Sequence, residues 1–317
     1  MHIVLDGPSA FAYWMSSLAT DGPRYVEVPN PRLSDFSDRS CRDIFDAIKR
    51  AGGKPGELFL LTRENAERRS AGLVVCSSWG NKPLPPRSIC KIGDGVYAVS
   101  PELCVLRLAT FLDRLELIRA ATDLMGIYTH SFVDRQQLVN RATPILTRAS
   151  LEEYLRHATG IRGVRETRNI LSQLVERSAS PRETSMNICL RLCTRMGGEG
   201  LPPFRANERV DLSREALRLT RRSYLVADVT LVRKGKSLYL EYNSNKHHDT
   251  EEELEFDFEK ITAMRHDGKI VVPISTRQFN DYEVFSTIVD GIRKTLGIRD
   301  VSDGLNQPSG VGLYQPN

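Results

Sequence analysis

Residues 224–243 decide the fold of the C-terminal part of the chain, and they read YLVADVTLVRKGKSLYLEYN. Two apolar segments rich in β-branched and aromatic residues, 224–232 and 237–243, flank a turn-like triplet at 234–236. Two such segments separated by a short glycine-containing link are typical of a β-hairpin. The sequence therefore predicts two antiparallel strands joined by a tight turn.

Each arm of this predicted hairpin carries a carboxylate, Asp228 in the first and Glu241 in the second. Side chains on adjacent antiparallel strands can approach each other closely. A carboxylate in an otherwise apolar strand is unfavourable unless it is paired or binds a cation. Two facing carboxylates repel, and a hard cation such as Mg²⁺ would relieve that repulsion. The alternative interpretation is an ion pair of each acid with a lysine or arginine.

The segments around the hairpin predict a definite order of helices and strands. Ser180 is a good N-cap, and Glu183 in the first turn complements the helix dipole. The expected elements are a helix from 180 to about 196, a strand at 204–210, the hairpin, a helix at 250–265, a strand at 269–274 and a helix at 282–296. The segment 300–317 is rich in Gly, Pro, Ser, Asn and Gln, which indicates a flexible tail.

The N-terminal part predicts a mixed α/β region followed by helices. The expected elements are strands at 58–61, 73–76 and 96–99, a helix at 42–49, a proline-rich loop at 82–86, and helices from 101 to about 175. We therefore predict an α/β protein with an N-terminal domain at 1–177 and a C-terminal domain at 178–299.

Composition describes an ordinary globular protein. The 317 residues are 40% hydrophobic and 26% charged, and the net charge of +4 is too small to indicate a nucleic-acid partner by itself. No apolar run is long enough for a membrane span, and the first residues do not resemble a signal peptide. The six cysteines are irregularly spaced, which favours reduced thiols and a cytoplasmic protein.

The order of elements, with Asp on one hairpin arm and Glu on the next, resembles the PD-(D/E)XK nuclease superfamily, and within it the branch of the very-short-patch-repair endonuclease. The resemblance covers about residues 178–297. Its matching positions are Ser180, Glu183, Asp228, Glu241, Tyr242, His247 or His248, Asp257, Lys260 and Gly268. The chain departs from that pattern in having Ala227 before the aspartate, and Asn243 and Ser244 where relatives have Asp-Gly.

The resemblance implies a restriction-endonuclease-like α-β-β-β-α-β core that hydrolyses DNA phosphodiester bonds, in a defence or repair setting. Asp228 and Glu241 would hold Mg²⁺, or Mn²⁺ in its place, with help from Glu183. Further site residues are implied as follows: His247 or His248 as general base or phosphate contact, and Lys260 or Lys246 as the positive charge. The spacing of Asp257 and Lys260 also fits a simple pair on a helix surface.

Basic residues are in local excess before and within the hairpin. Nine basic residues and four acids lie between Arg205 and Lys236. This excess favours nucleic-acid contacts, which we expect at Arg218, Arg221, Arg222 and Lys246. The acidic stretch 249–259 argues against DNA beside the site unless its charges point outward.

The N-terminal half also carries a resemblance. Residues 96–102, with the helical stretch 103–128, resemble a region found upstream of such nuclease-like domains and the AbiE antitoxin of abortive-infection systems. This implies a specificity module or a site for a protein partner. Two alternatives to the nuclease remain: a catalytically inactive DNA-binding regulator, which Asn243 favours, and a scaffold that binds a protein and no nucleic acid.

Overall fold

The structure is a computed structural model that describes residues 3–19, 21–27, 58–62, 74–79, 83–93, 95–131, 134, 136–220, 222–243 and 251–299. The chain divides into two units, Met1–Leu174 and Val175–Asn317, close to the predicted boundary at residue 177. The predicted helix at 42–49 and the predicted tail at 300–317 lie outside the described residues.

The first unit is built around a six-stranded mixed sheet in its described part. Its strands are β1 (Ile3–Leu5), β2 (Tyr25–Val26), β3 (Leu58–Thr62), β4 (Val74–Ser78), β5 (Ile89–Gly93) and β6 (Val96–Val99), in the spatial order β2-β5-β6-β1-β3-β4. A small antiparallel pair, β7 (Tyr128–His130) and β8 (Leu138–Asn140), forms a separate sheet. The strands predicted near 58, 73 and 96 are confirmed.

The described part of the first unit also contains five α-helices, of which the first lies between β1 and β2 in the sequence and the others follow the six-stranded sheet. They are α1 (Gly7–Trp14), α2 (Pro101–Leu108), α3 (Arg114–Leu124), α4 (Arg148–His157) and α5 (Val164–Ile170), with single 3₁₀ turns at Ser17–Ala19 and Leu171–Gln173. Asp113 starts α3 with a capping box, which separates this helix from α2. Gly163 (φ 93°) precedes α5 and lies against the backbone of Leu106, where a side chain has no room.

The second unit contains the elements around the predicted hairpin. They are α6 (Pro181–Arg191), β9 (Arg205–Val210), α7 (Arg214–Leu217), β10 (Leu225–Arg233), β11 (Lys236–Asn243), α8 (Glu251–His266), β12 (Ile270–Ser275), α9 (Thr276–Asn280) and α10 (Tyr282–Leu296), with a 3₁₀ turn at Thr194–Met196. The predicted hairpin is confirmed, and so are the strands and helices that follow it. Helix α6 ends about one turn earlier than predicted.

The four strands of the second unit form a mixed sheet in the order β12-β11-β10-β9. Strands β9, β10 and β11 are antiparallel neighbours, and β12 runs parallel to β11. On one side of the sheet, Leu240 packs with side chains of α6 and α10. On the other side, Tyr239 packs with Ala263 and Met264 of α8. The sheet therefore lies between two helical layers.

None of the helices in the described part of the chain has the length and apolar content needed to cross a membrane. The cysteines described are free, and four of the five are buried. Cys189 belongs to the core, whereas Cys193 is exposed beyond the end of α6.

Candidate active site

The hairpin turn sets the register that brings Asp228 and Glu241 together. Lys234 and Gly235 both have positive φ (48° and 75°), which matches the two-residue turns that fit the twist of a hairpin. Pairing runs from Arg233↔Lys236 to Val229↔Leu240. Asp228 and Glu241 are the next residues in this register, so the two carboxylates lie opposite each other.

At this point of the sheet, the side-chain carboxylate of Asp228 accepts a hydrogen bond from the backbone of the neighbouring strand β11. Its Oδ2 accepts a hydrogen bond from the backbone N–H of Tyr242 at 2.6 Å. Burial raises the pKa of Asp228, while the nearby Lys260 ammonium and the Tyr242 N–H lower it. Asp228 is therefore held in place by β11, and one of its oxygens, Oδ1, faces Lys260 at 4.0 Å.

Glu241 is the most deeply buried acid of the site, with a side chain that is only 3% exposed. Its Oε2 accepts a hydrogen bond from the ammonium of Lys260. Its Oε1 is also buried, and no described residue donates a hydrogen bond to it. Because buried polar atoms are nearly always satisfied, this oxygen is suited to contact a water molecule, a ligand or a cation.

Lys260 reaches the two acids from the helix that covers them. It lies one turn before Ala263 and Met264, the residues through which α8 packs on the sheet. Its side chain is 13% exposed, and its ammonium contacts both carboxylates. The predicted alternative of a surface pair with Asp257 does not describe Lys260, although Asp257 is close enough to influence its charge.

Burial is the main cause of the raised pKa values of the two acids, and the repulsion between the two carboxylates adds to the shift of Glu241. Burial, followed by the charge of Asp228, raises the pKa of Glu241 to about 8, although Lys260 opposes this shift. Burial disfavours the Lys260 ammonium, but Glu241 and Asp228 together raise its pKa above the usual value. The three groups thus form a buried cluster with two acids and one base.

Glu183 approaches the same cluster from the first turn of α6. Its backbone N–H donates to the N-cap hydroxyl of Ser180 at 3.1 Å, as predicted from the sequence. Its carboxylate accepts hydrogen bonds from the Ala179 N–H at 2.9 Å and from Asn207 Nδ2 at 2.6 Å. Burial raises the pKa of Glu183, and the charge of Asp228 raises it further, so these two acids are electrostatic neighbours.

Sequence reasoning missed Asn207, which lies in β9. The strand 205–210 is polar and lies outside the hairpin pattern. The only signal for Asn207 in the sequence is that Asn tolerates a left-handed backbone. Asn207 has a φ of 49°.

The remaining predicted residues divide into those that the structure describes and those that it does not. His247, His248, Lys246 and Arg221 lie outside the described residues. Arg218 is exposed after α7. Arg222 is exposed, and its guanidinium lies 5.1 Å from the centroid of the Phe256 ring, one helical turn before Lys260.

The donor chemistry suits a hard cation, although the described residues include no group of three or more His, Cys, Asp or Glu side chains arranged to hold one. Mg²⁺ commonly takes one or two carboxylates and completes its coordination with water and phosphate oxygens. Asp228 and Glu241 provide such a pair of carboxylates. Glu241 Oε1, which accepts no hydrogen bond from a described residue, could coordinate the cation. In the structure, Lys260 supplies the positive charge that the pair requires.

Comparisons with known proteins add no assignment: no protein family model, no curated protein and no solved structure matches the chain. Function is therefore inferred from the residues of the site.

Proposed function

We propose that the second unit is a metal-dependent endonuclease that hydrolyses DNA phosphodiester bonds. The observation that carries the proposal is the convergence of Asp228, Glu241 and Lys260, with a buried Glu241 oxygen that has no donor among the described residues. Here two carboxylates lie beside one ammonium, so a bound divalent cation would stabilise the ionised form of both acids.

The order of elements supports the same proposal. Leaving aside the single-turn helix α7, the chain runs α6, β9, β10, β11, α8, β12. This is the α-β-β-β-α-β order of the PD-(D/E)XK superfamily that the sequence resembles. The acids lie on the two central strands of the sheet, Glu183 lies on the first helix and Lys260 on the second.

Each residue has a defined part in the proposed reaction. Asp228 and Glu241 would hold Mg²⁺ or Mn²⁺, and Glu183 would hold a water molecule beside them. When bound, the metal would polarise the phosphate and lower the pKa of a bound water. Lys260 would stabilise the negative charge that develops on the phosphate. A general-base role for His247 or His248 stays a prediction.

The charges near the site are compatible with a phosphate backbone. Arg222 stacks on Phe256 instead of pairing with an acid in the contacts described, so its charge remains available to a polyanion. Arg209 stacks in the same way on Tyr224, with its guanidinium 5.1 Å from the ring centroid. Arg222 is one of the four predicted DNA contacts, with Arg218, Arg221 and Lys246, and Arg209 adds a fifth to the proposal.

Plasmid nicking tests the proposal. The full-length protein should convert supercoiled DNA to the open circle in Mg²⁺ or Mn²⁺ and not in EDTA. Asp228→Asn and Glu241→Gln preserve side-chain shape and should reduce nicking to the level seen without metal.

Glu199→Gln is the matched control for that experiment, because Glu199 is a buried acid of the same unit that pairs with Arg293 at 2.9 Å, outside the cluster. It should retain nicking below its unfolding temperature. Equal nicking by Asp228→Asn, Glu241→Gln and wild type would reject the assigned site.

A second candidate function is a DNA-binding regulator that keeps the nuclease fold without its activity. The ion pair of Lys260 with Glu241 favours it, because that pair already neutralises one of the two acids. The absence of an acid at Asn243 favours it too. Metal-independent retardation of DNA, together with no cleavage in any divalent metal, would select this function over the first.

The first unit has no function assigned by its geometry. Its proposed role as a specificity module or a site for a protein partner continues from the sequence resemblance alone, and so does the proposed setting in defence or repair.

A further inference from the structure

Asn207 interrupts the sheet beside the acid cluster. The pairing of β9 with β10 includes Ala227↔Glu208 on one side and Val229↔Ala206 on the other, but it omits the intervening Asn207 and Asp228. At this point Asn207 has a left-handed backbone, with φ at 49°. Asn is one of the few non-glycine residues that adopt this conformation readily, and here the conformation coincides with a break in the strand pairing.

The same interruption changes the way in which β10 packs. Leu225 and Ala227 contact the cluster under α8, whereas Val229 and Leu231 belong to the cluster under α6 and α10. In a regular strand, these four odd-numbered residues would all face one layer. The alternation therefore reverses at Asp228, opposite Asn207.

The side-chain nitrogen of Asn207 uses both of its N–H groups as hydrogen-bond donors. Nδ2 donates to Glu183 Oε2 at 2.6 Å and to the carbonyl oxygen of Arg177 at 2.9 Å. Glu183 Oε2 also accepts the Ala179 N–H at 2.9 Å, and Oε1 accepts the Ser180 hydroxyl at 3.1 Å. Asn207 thus joins β9 to the start of α6 and restricts the orientation of the Glu183 carboxylate.

We propose that Asn207 is a positioning residue of the site: through its amide it holds Glu183 beside Asp228, so that the Glu183 carboxylate holds a water molecule next to the divalent cation bound by Asp228 and Glu241. This inference rests on the proposed metal-dependent nuclease. The left-handed backbone directs the amide toward α6 instead of along the sheet. Neighbours that orient metal-binding acids typically contribute about 10–100-fold to metal affinity.

Mn²⁺ titration of the full-length protein by calorimetry tests the inference without relying on cleavage. Asn207→Gly removes the amide, and glycine adopts the left-handed backbone without strain. We expect the Kd for Mn²⁺ to rise about tenfold. Glu183→Gln should raise it similarly, and the double variant should bind no more weakly than the weaker single variant, because Asn207 acts through Glu183.

Lys234→Gly is the matched control, since Lys234 also has a left-handed backbone (φ 48°) in the same unit but lies in the hairpin turn. It should leave the Kd unchanged. If Asn207→Gly does not fold, Asn207→Ser takes its place, because its hydroxyl is too short to span both Glu183 and Arg177.

The outcomes separate the two proposals. Unchanged Mn²⁺ affinity in the folded Asn207 variant overturns the positioning role alone, and so does a double variant whose losses multiply. A wild-type protein that binds no Mn²⁺ overturns both the positioning role and the proposed nuclease.

Discussion

The single ammonium of Lys260 contacts two buried acids. Replacing Lys260 tests how much that charge contributes to the free energy of unfolding. In Lys260→Met the side chain keeps most of its length but loses the ammonium that contacts Glu241 and Asp228. Removing one partner of a buried ion pair costs about 3 kcal/mol of unfolding free energy. We expect that loss in urea unfolding, and we expect Mn²⁺ to raise the melting temperature of the variant more than that of the wild type.

Lys269→Met is the control for this comparison. Lys269 pairs with Asp267 at 3.7 Å, and its side chain is more exposed, so the change should cost less than about 1 kcal/mol. Equal losses in the two lysine variants would contradict the central role of Lys260.

The raised pKa of Glu241 predicts that the free energy of unfolding depends on pH. Burial and Asp228 raise its pKa to about 8 from the usual 4.5, so between these values the folded protein binds more protons than the unfolded chain. Under this condition the free energy of unfolding falls as the pH rises, by up to about 1.4 kcal/mol per pH unit for one group. Urea unfolding without metal should show this decrease from pH 5 to pH 8.

Glu241→Gln should flatten that pH profile, since glutamine does not titrate. Glu208→Gln, which removes a more exposed acid of the same sheet, should keep the wild-type slope. Asp228 and Glu183 also have raised pKa values, so part of the slope should persist in Glu241→Gln. A slope of the opposite sign in the wild type would contradict the buried acid cluster.

Among the elements, the contact between α5 and α2 depends on one glycine. Gly163 has a φ of 93°, and a Cβ there would lie 2.1 Å from the carbonyl oxygen of Leu106. Gly163→Ala therefore combines backbone strain with a backbone clash, and we expect the first unit to lose more than about 3 kcal/mol of unfolding free energy.

Gly22→Ala separates the two effects. Gly22 also has a left-handed backbone, with φ at 78°, but it has open space around it in the same unit. The cost should be strain alone, about 1 kcal/mol. Similar melting temperatures for the two alanine variants would contradict the close approach at Leu106.

The elements that sequence predicted best are those with a local signal. The Lys234-Gly235 turn and its apolar arms determine the hairpin, and the hairpin determines that Asp228 faces Glu241. Asn207 was not predictable, because its role comes from Glu183, a residue distant in sequence. The burial of Lys260 was not predictable either, since charged residues crowd α8 and hide which of its faces packs on the sheet.

At the scale of the whole molecule, the second unit has a core of its own. Both clusters that sandwich its sheet are built from residues between Met186 and Leu296. We therefore expect residues 175–317 expressed alone to unfold cooperatively, as followed by circular dichroism, and to bind Mn²⁺ with the affinity of the full chain. Loss of binding in the folded fragment would assign part of the site to the first unit.

Leu240→Ala is the companion variant for this fragment, because Leu240 is fully buried in the larger cluster. A truncation of this kind costs about 2–5 kcal/mol and should abolish or strongly weaken cooperative unfolding of the fragment. A fragment that melts without cooperativity even in its wild-type form would show that the two units fold together.

The two-residue turn also limits how this protein can change over evolution. Asp228 and Glu241 each lie five residues from the pair that closes the hairpin, Arg233↔Lys236. Adding a single residue to one arm would rotate one acid to the opposite side of the sheet. Homologues that keep both acids facing each other should therefore show insertions of matching length in the two arms, or none.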